Sequence, residues 1–203
     1  GAVLQRHVAV PVWGWAESGT EVTVSFKDQK KSTQADKHGK WMIKLDPMKA
    51  SAENAVMNIV VGAESKTIKD ILIGEVWLCG GQSNMDFSLL QLSTKAKDAK
   101  YQPIADYVKN EIETAIDPLL RQIKIQKKVS ALEEKHTFNG VWQKLVRSEV
   151  SSFTATGYFF ARELRQKLGV PVGLLNCNWG GTRVEPWIPM SAFNSNQKLK
   201  EYY

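Results

Sequence analysis

Ser83 is the residue whose surroundings could make it a nucleophile. It lies in GEVWLCGGQSNM, Gly74 to Met85. The apolar and β-branched run Ile71 to Leu78 predicts a buried strand, Gly80 and Gly81 a sharp turn, and Asn84 to Leu92 a helix. A strand, a tight glycine turn and a serine at a helix start together lift a hydroxyl to the top of a sheet. Free N–H groups and a partial positive charge at a helix start favour negative charge nearby. An ester carbonyl attacked by Ser83 Oγ would develop its oxyanion there. An ordinary strand–turn–helix connection with a capping serine has the same composition, and spacing alone does not separate the two.

Further segments carry a resemblance. In chain order they are VPVWGWAESGTEVTVSF (Val10 to Phe26), HGKWMIKL (His38 to Leu45), GEVWLCGGQSNM, FTATGYFFARELRQKL (Phe153 to Leu168) and VPVGLLNCNWGGTRVEPWIP (Val170 to Pro189). In order and spacing they resemble the sialate O-acetylesterases, a branch of the SGNH-type hydrolases that is also similar to carbohydrate acetylxylan esterases. The resemblance implies that Ser83 is the catalytic nucleophile. It implies that Gly180-Gly181 belongs to a second block, where a glycine N–H helps bind the oxyanion. Such an N–H must reach the site with no side chain in its way. A plain tight turn at a strand end is the other reading of this pair, and which glycine donates stays open. Gln82 and Asn84, flanking Ser83 in the motif, join the oxyanion and binding set. Arg183 suits a substrate carboxylate such as that of sialic acid, or an ion pair with Glu185. Trp187 suits stacking on a sugar ring or packing. The chemistry needs no metal or organic cofactor.

A serine hydroxyl is a weak nucleophile until a base takes its proton. The family supplies that base as a histidine in a DxxH-type motif well downstream, together with a Gln-containing oxyanion block. Neither motif occurs here. The histidines His7, His38 and His136 read as surface residues, and Asp86 reads as a complement to the helix dipole rather than as the catalytic acid. The expectation is the N-terminal portion of a longer enzyme, with negligible acetyl-ester hydrolysis by this portion alone. The C-terminal remainder is then an expected partner, beside an acetylated sugar substrate. An acetylxylan-type esterase, or a non-catalytic carbohydrate-binding or scaffold module, are the alternatives.

The elements that must hold these residues divide at residue 70. Residues 1–70 alternate in short runs, as in Glu21 to Phe26 and Lys40 to Leu45, with turns at Ser18-Gly19 and His38-Gly39. They predict an all-β sandwich, with rigid support as its role ahead of carbohydrate binding or the shaping of one wall of the active site. Over residues 71–203 a helix–strand crossover predicts a parallel α/β sheet, and the resemblance implies the first part of an SGNH-like, flavodoxin-like domain. An amphipathic helix over 93–118 carries Ile104, Tyr107, Val108, Ile112 and Ile116 and ends at Asp117-Pro118. A strand over Leu119 to Val129 follows, then a loop over Ser130 to Gly140. A helix capped by Ser152 runs to Leu168, its apolar face made by Phe153, Gly157, Phe160, Ala161, Leu164 and Leu168. Strand Val172 to Cys177 completes a crossover.

The 203 residues carry 43% hydrophobic and 24% charged side chains, the balance of an ordinary globular protein. A net charge of +6 is spread along the chain with no dense Lys/Arg run, which argues against a nucleic-acid arm. No apolar run is long enough to span a bilayer, and no signal peptide is visible. The resemblance implies an extracellular, periplasmic or lysosomal-type location. The two cysteines, Cys79 and Cys177, are no disulfide framework and read as buried thiols at neighbouring strand ends, with a bridge between them as the alternative in an oxidising compartment.

Overall fold

The computed structural model describes residues 1–94, 99–130 and 134–201. In chain order the elements are β1 Val3–Gln5, β2 Val10–Trp15, β3 Glu21–Phe26, β4 Gln29–Gln34, β5 Lys40–Leu45, β6 Ser51–Val61 and β7 Glu64–Gly81. There follow α1 Ser83–Asp86, α2 Leu89–Thr94, α3 Gln102–Thr114, β8 Asp117–Lys124 and β9 Trp142–Leu145. The chain ends through α4 Ala155–Leu168, β10 Val172–Asn178, α5 Met190–Ser195 and α6 Gln197–Lys200.

The N-terminal strands form because their side chains alternate. Val22, Val24 and Phe26 of β3 and Trp41, Ile43 and Leu45 of β5 point into one core, closed by Met57, Ile59, Ile71 and Ile73. β2 and β5 pair only with each other and cover a mixed sheet ordered β4-β3-β6-β7-β10-β8-β9, with β1 on the other side of β7. The expected separate sandwich is therefore modified. β7 runs unbroken for 18 residues and belongs both to the N-terminal core and to the parallel part of the sheet. The strand expected over Ile71 to Leu78 is the later part of this one strand. It bulges beside Asp70, whose φ is +61°, and the register against β6 shifts there.

The parallel part is β7, β10 and β8, with β9 antiparallel on the β8 edge. β10 lies in the middle. A flavodoxin-like order would instead put the first of these strands between the second and third. The chain leaving β7 crosses through α2 and α3 to β8, and β10 later fills the place left between them. At Gly74 the backbones of β7 and the β10 approach meet so closely that a Cβ would stand 1.9 Å from the Pro171 carbonyl oxygen. α4 packs on this sheet through Ala155, Gly157, Tyr158 and Ala161.

Several expected boundaries move. The helix expected over Asn84 to Leu92 breaks into α1 and α2. Around Phe87 the backbone pairs instead with the start of α4: Ala155 N–H donates to Phe87 O at 2.8 Å and Leu89 N–H to Phe153 O at 3.0 Å. α4 begins after Thr154, not Ser152, whose hydroxyl turns back to Glu149 O at 2.8 Å. Phe160 and Leu168 lie half-exposed, because the buried face is centred on Tyr158 and Ala161. α3 stops at Thr114, and β8 already begins at Asp117, so Ile116 is outside the helix. The strand expected to reach Val129 ends at Lys124. Residues 95–98 of the expected helical stretch and 131–133 of the expected loop fall outside the described residues. β1, only three residues long, and the polar edge strand β4 were not expected from the sequence.

Candidate active site

β7 and β10 run in register to their ends, Cys79 opposite Asn176, Gly80 opposite Cys177 and Gly81 opposite Asn178. The two loops that follow therefore start at the same level. Trp179 N–H closes them together on Gly81 O at 3.1 Å. Gly81 has φ +142°, a conformation suited to glycine, and turns the chain into α1. Ser83 is the first residue of α1 and is exposed. The helix cap is Gln82, without a side-chain bond, so Ser83 does no capping. Among the described residues its hydroxyl has no hydrogen-bond partner.

The second loop lies directly on this serine. A Cβ built on Gly180 would stand 3.4 Å from the Ser83 Cα and 3.6 Å from its Cβ. Gly180 N–H donates to Asp86 Oδ2 at 3.2 Å. Gly181 is exposed with φ +82°. Gln82 and Asn84 flank Ser83 with exposed side chains, and the Asn84 carbonyl accepts from Thr156 Oγ1 at 3.2 Å. Arg183 is exposed, and among the described residues it makes no ion pair, with Glu185 or any other carboxylate. No hydrogen bond joins Arg183 to Ser83, Gln82 or Asn84. Trp187 Nε1 donates to Thr182 Oγ1 at 2.9 Å, and Thr182 Oγ1 donates to Trp179 O at 2.8 Å, tying the following segment back to the loop.

A buried polar chain supports both loops from below. Asn178 Nδ2 donates to Cys79 O at 3.2 Å, to Met85 O at 3.3 Å and to Asn176 Oδ1. Asn176 Nδ2 donates to Gln122 Oε1 at 3.1 Å, which also accepts Thr154 N–H at 3.0 Å. Thr154 Oγ1 returns to Met85 O at 2.5 Å. The turn holding Ser83 is thus fastened at its strand end and at its helix. Sequence reasoning missed these residues. Their signal was polar side chains on one face of runs otherwise apolar, VGLLNCN and LLRQIKI.

Asp86 does more than complement a helix end. Its carboxylate meets Gly180 N–H, Lys127 Nζ and, at 3.8 Å, Lys124 Nζ. Partial burial opposes its charge, and the bonds from Lys127 and Gly180 outweigh that effect, holding its pKa below the usual carboxylate range. An open groove of about 1060 Å³ begins at Asp86 and runs past Lys124, Lys127 and Trp142, without being lined by Ser83 itself.

Cys79 and Cys177 sit one register step apart on neighbouring strands, so they face opposite sides of the sheet and both are free. Burial pushes the Cys79 thiol up to about 11, so it stays protonated near neutral pH. His7, His38 and His136 are all exposed, and none bonds to Ser83; His136 lies 6.3 Å from the Trp15 ring. No helix among the described residues is long and apolar enough to cross a membrane.

The chain is 30% identical to the human (Homo sapiens) sialate O-acetylesterase over 91% of its own length and 36% of the relative's. It is 29% identical to the Rattus norvegicus sialate O-acetylesterase, over 91% and 35%. The structure of a carbohydrate acetylesterase from Xanthomonas citri superposes with TM-score 0.82 at 32% identity, covering 96% of this chain and 42% of that one. The chain thus spans about a third of the length of the curated relatives it matches. Residues 73–202, which hold both glycine loops and Ser83, match the carbohydrate esterase family described as sialic acid-specific acetylesterase, and the chain belongs to that family.

Proposed function

We propose that this chain supplies the nucleophile and oxyanion loops of a serine esterase that removes O-acetyl groups from sialic acid or a related acetylated sugar. The observation that carries the reading is the contact of Gly180 with Ser83, which sets an exposed, uncommitted hydroxyl beside a side-chain-free backbone. Residues 71–203 are read as the first part of the esterase domain and residues 1–70 as its support.

The reaction runs in two halves. A base takes the Ser83 proton as Oγ attacks the acetyl carbonyl carbon. The resulting oxyanion is received by the Ser83 N–H and an N–H of the Gly180-Gly181 loop. Collapse breaks the ester bond, the base returns its proton to the departing sugar hydroxyl, and acetyl-Ser83 remains. Water, deprotonated by the same base, attacks that ester and releases acetate. Arg183, exposed and free of ion pairs among the described residues, is assigned to a substrate carboxylate, which an unbranched acetylated xylose chain lacks, so this reading favours sialic acid.

The base is assigned to a histidine, oriented by an acid, outside the described residues. The outer edge of β7 supports this. Beyond Gly74 the outward backbone groups meet only the Gln5 side chain, at Val76 N–H, and Leu78 and Gly80 are left unpaired among the described residues. A further strand added there, parallel to β7, would end beside Ser83. The relatives' greater length supplies chain for it.

The test is labelling with a fluorophosphonate and release of acetate from O-acetylated sialic acid, by this chain alone and joined to a C-terminal part. Labelling and turnover only in the joined form, both lost in Ser83→Ala, are expected. No labelling in either form would instead favour a non-catalytic carbohydrate-binding or scaffold module. Robust turnover by this chain alone would mean that the base lies within it.

A further inference from the structure

We infer that Asp86 is a positioning residue that clamps the second glycine loop onto Ser83 through the Gly180 N–H. The ends of three parallel strands meet at its carboxylate. α1, leaving β7, carries Asp86; the loop after β10 brings Gly180 N–H to Oδ2 at 3.2 Å; the end of β8 and its loop bring Lys124, 3.8 Å from Oδ1, and Lys127, on Oδ2. Only 19% of the Asp86 side chain is exposed, against 46% for Lys124 and 35% for Lys127, so the Gly180 bond is the most sheltered of the three. Of the other charged groups along the same groove, Lys144 is engaged by Asp70 and Glu149 by Gln143, which leaves the two lysines as the charges facing Asp86.

The clamp has a consequence for the loop's chemistry. An N–H that already donates to a carboxylate is a poor receiver for a second anion, because two like charges would share one donor at close range. Gly180 therefore works structurally. Gly181 N–H has no hydrogen-bond partner among the described residues, and a Cβ on Gly181 would meet nothing within 4 Å. It is the open donor of the loop. Only this last step rests on the esterase reading; the clamp stands on the contacts alone.

Amide NMR on the 203-residue chain tests the clamp without any turnover. The Gly180 amide proton should shift as acid protonates Asp86, while Gly181 stays still. In Asp86→Ala the Gly180 amide should exchange with solvent at least about tenfold faster, as expected when a local closing contact is lost. Asp86→Asn keeps an oxygen acceptor and should stay near the parent rate. A Gly180 amide indifferent to acid, or one exchanging equally in parent and Asp86→Ala, overturns the inference. Failure of acetate release in the joined enzyme would leave these results untouched, so the two readings fail separately.

Discussion

Gly180 rests against Ser83, with only 3.4 Å between the place of a Cβ on the first and the Cα of the second. Gly180 does not have a positive φ, so alanine suits its backbone, and the distances are ordinary van der Waals contacts. A methyl group there would leave the fold intact and stand over Ser83, the proposed nucleophile. Gly180→Ala should keep its Tm within about 2 °C of the parent. In enzyme that labels, it should slow Ser83 phosphonylation at least about tenfold, since small misplacements at a reacting centre cost that much. Gly181→Ala should do the reverse to stability, losing about 1 kcal/mol because φ is +82°. Unchanged labelling in Gly180→Ala would separate the loop from the chemistry.

Arg121 and Asp70 join the bulge of β7 to β8. Arg121 is 1% exposed and donates to Asp70 O at 2.6 Å and to Asp70 Oδ1 at 2.8 Å, while Lys144 takes Oδ2 at 2.9 Å. Arg121→Met should destabilise the chain by about 3 kcal/mol in urea unfolding, because it strands the partners of a buried cation.

Acid should act through the same carboxylate. Burial raises the Asp70 pKa, but the Lys144 and Arg121 bonds prevail and leave it below its ordinary value; Asp86 is lowered likewise. A depressed folded-state pKa gives stability that is fully present above the unfolded value, about 4, and is lost as pH falls through the folded value. The urea midpoint should hold from neutrality to about pH 5 and fall below about pH 4. Asp70→Asn should start lower at neutrality and lose less on acidification. An equal acid response in parent and variant would remove Asp70 from the account.

How much of this was legible in the sequence depended on where side chains spend their interactions. β3 and β5 were readable because Val22-Val24-Phe26 and Trp41-Ile43-Leu45 sort apolar from polar at period two. The Ser83 turn was readable because Gly81, with φ +142°, marks a backbone need, whereas Gly80 stays in the strand with room for a Cβ. β4, QKKSTQ, was invisible because an edge strand is held by backbone bonds to β3 and needs no apolar face. The break between α1 and α2 was invisible because it comes from backbone pairing with residues far along the chain. The role of Asp86 was missed for the same reason: its partners Gly180 and Lys127 are 94 and 41 positions away.

Gly157 sets two opposing effects against each other. Alanine in a helix interior is favoured over glycine by about 1 kcal/mol. Here the new Cβ would stand 2.6 Å from Thr154 Cγ2 and 2.9 Å from Cys79 Sγ, where α4 presses on β7. Overpacking of this kind costs about 1–3 kcal/mol, so Gly157→Ala should be net destabilising. Cys79→Ala should recover part of the loss in the double variant, read as a coupling in a double-mutant cycle. A stabilised Gly157→Ala would show that α4 sits further from the sheet.

Leu78→Pro tests the open edge of β7. Glu75 N–H donates to Pro171 O, and Gly81 O accepts from Trp179, so odd-numbered residues face β10. Val76 N–H donates to Gln5 Oε1 on the other side, so Leu78, 68% exposed, points its N–H outward. Proline there removes a donor that makes no bond among the described residues, whereas proline at Trp77 removes a ladder bond to β10. Leu78→Pro should cost at most about 1 kcal/mol, and Trp77→Pro about 3 kcal/mol or more, by urea unfolding of the 203-residue chain. Joined to a C-terminal part, the ranking should change. A strand laid on that edge needs the Leu78 N–H, so Leu78→Pro should then also abolish fluorophosphonate labelling at Ser83. Full labelling of joined Leu78→Pro would place the incoming chain, and the base it carries, elsewhere.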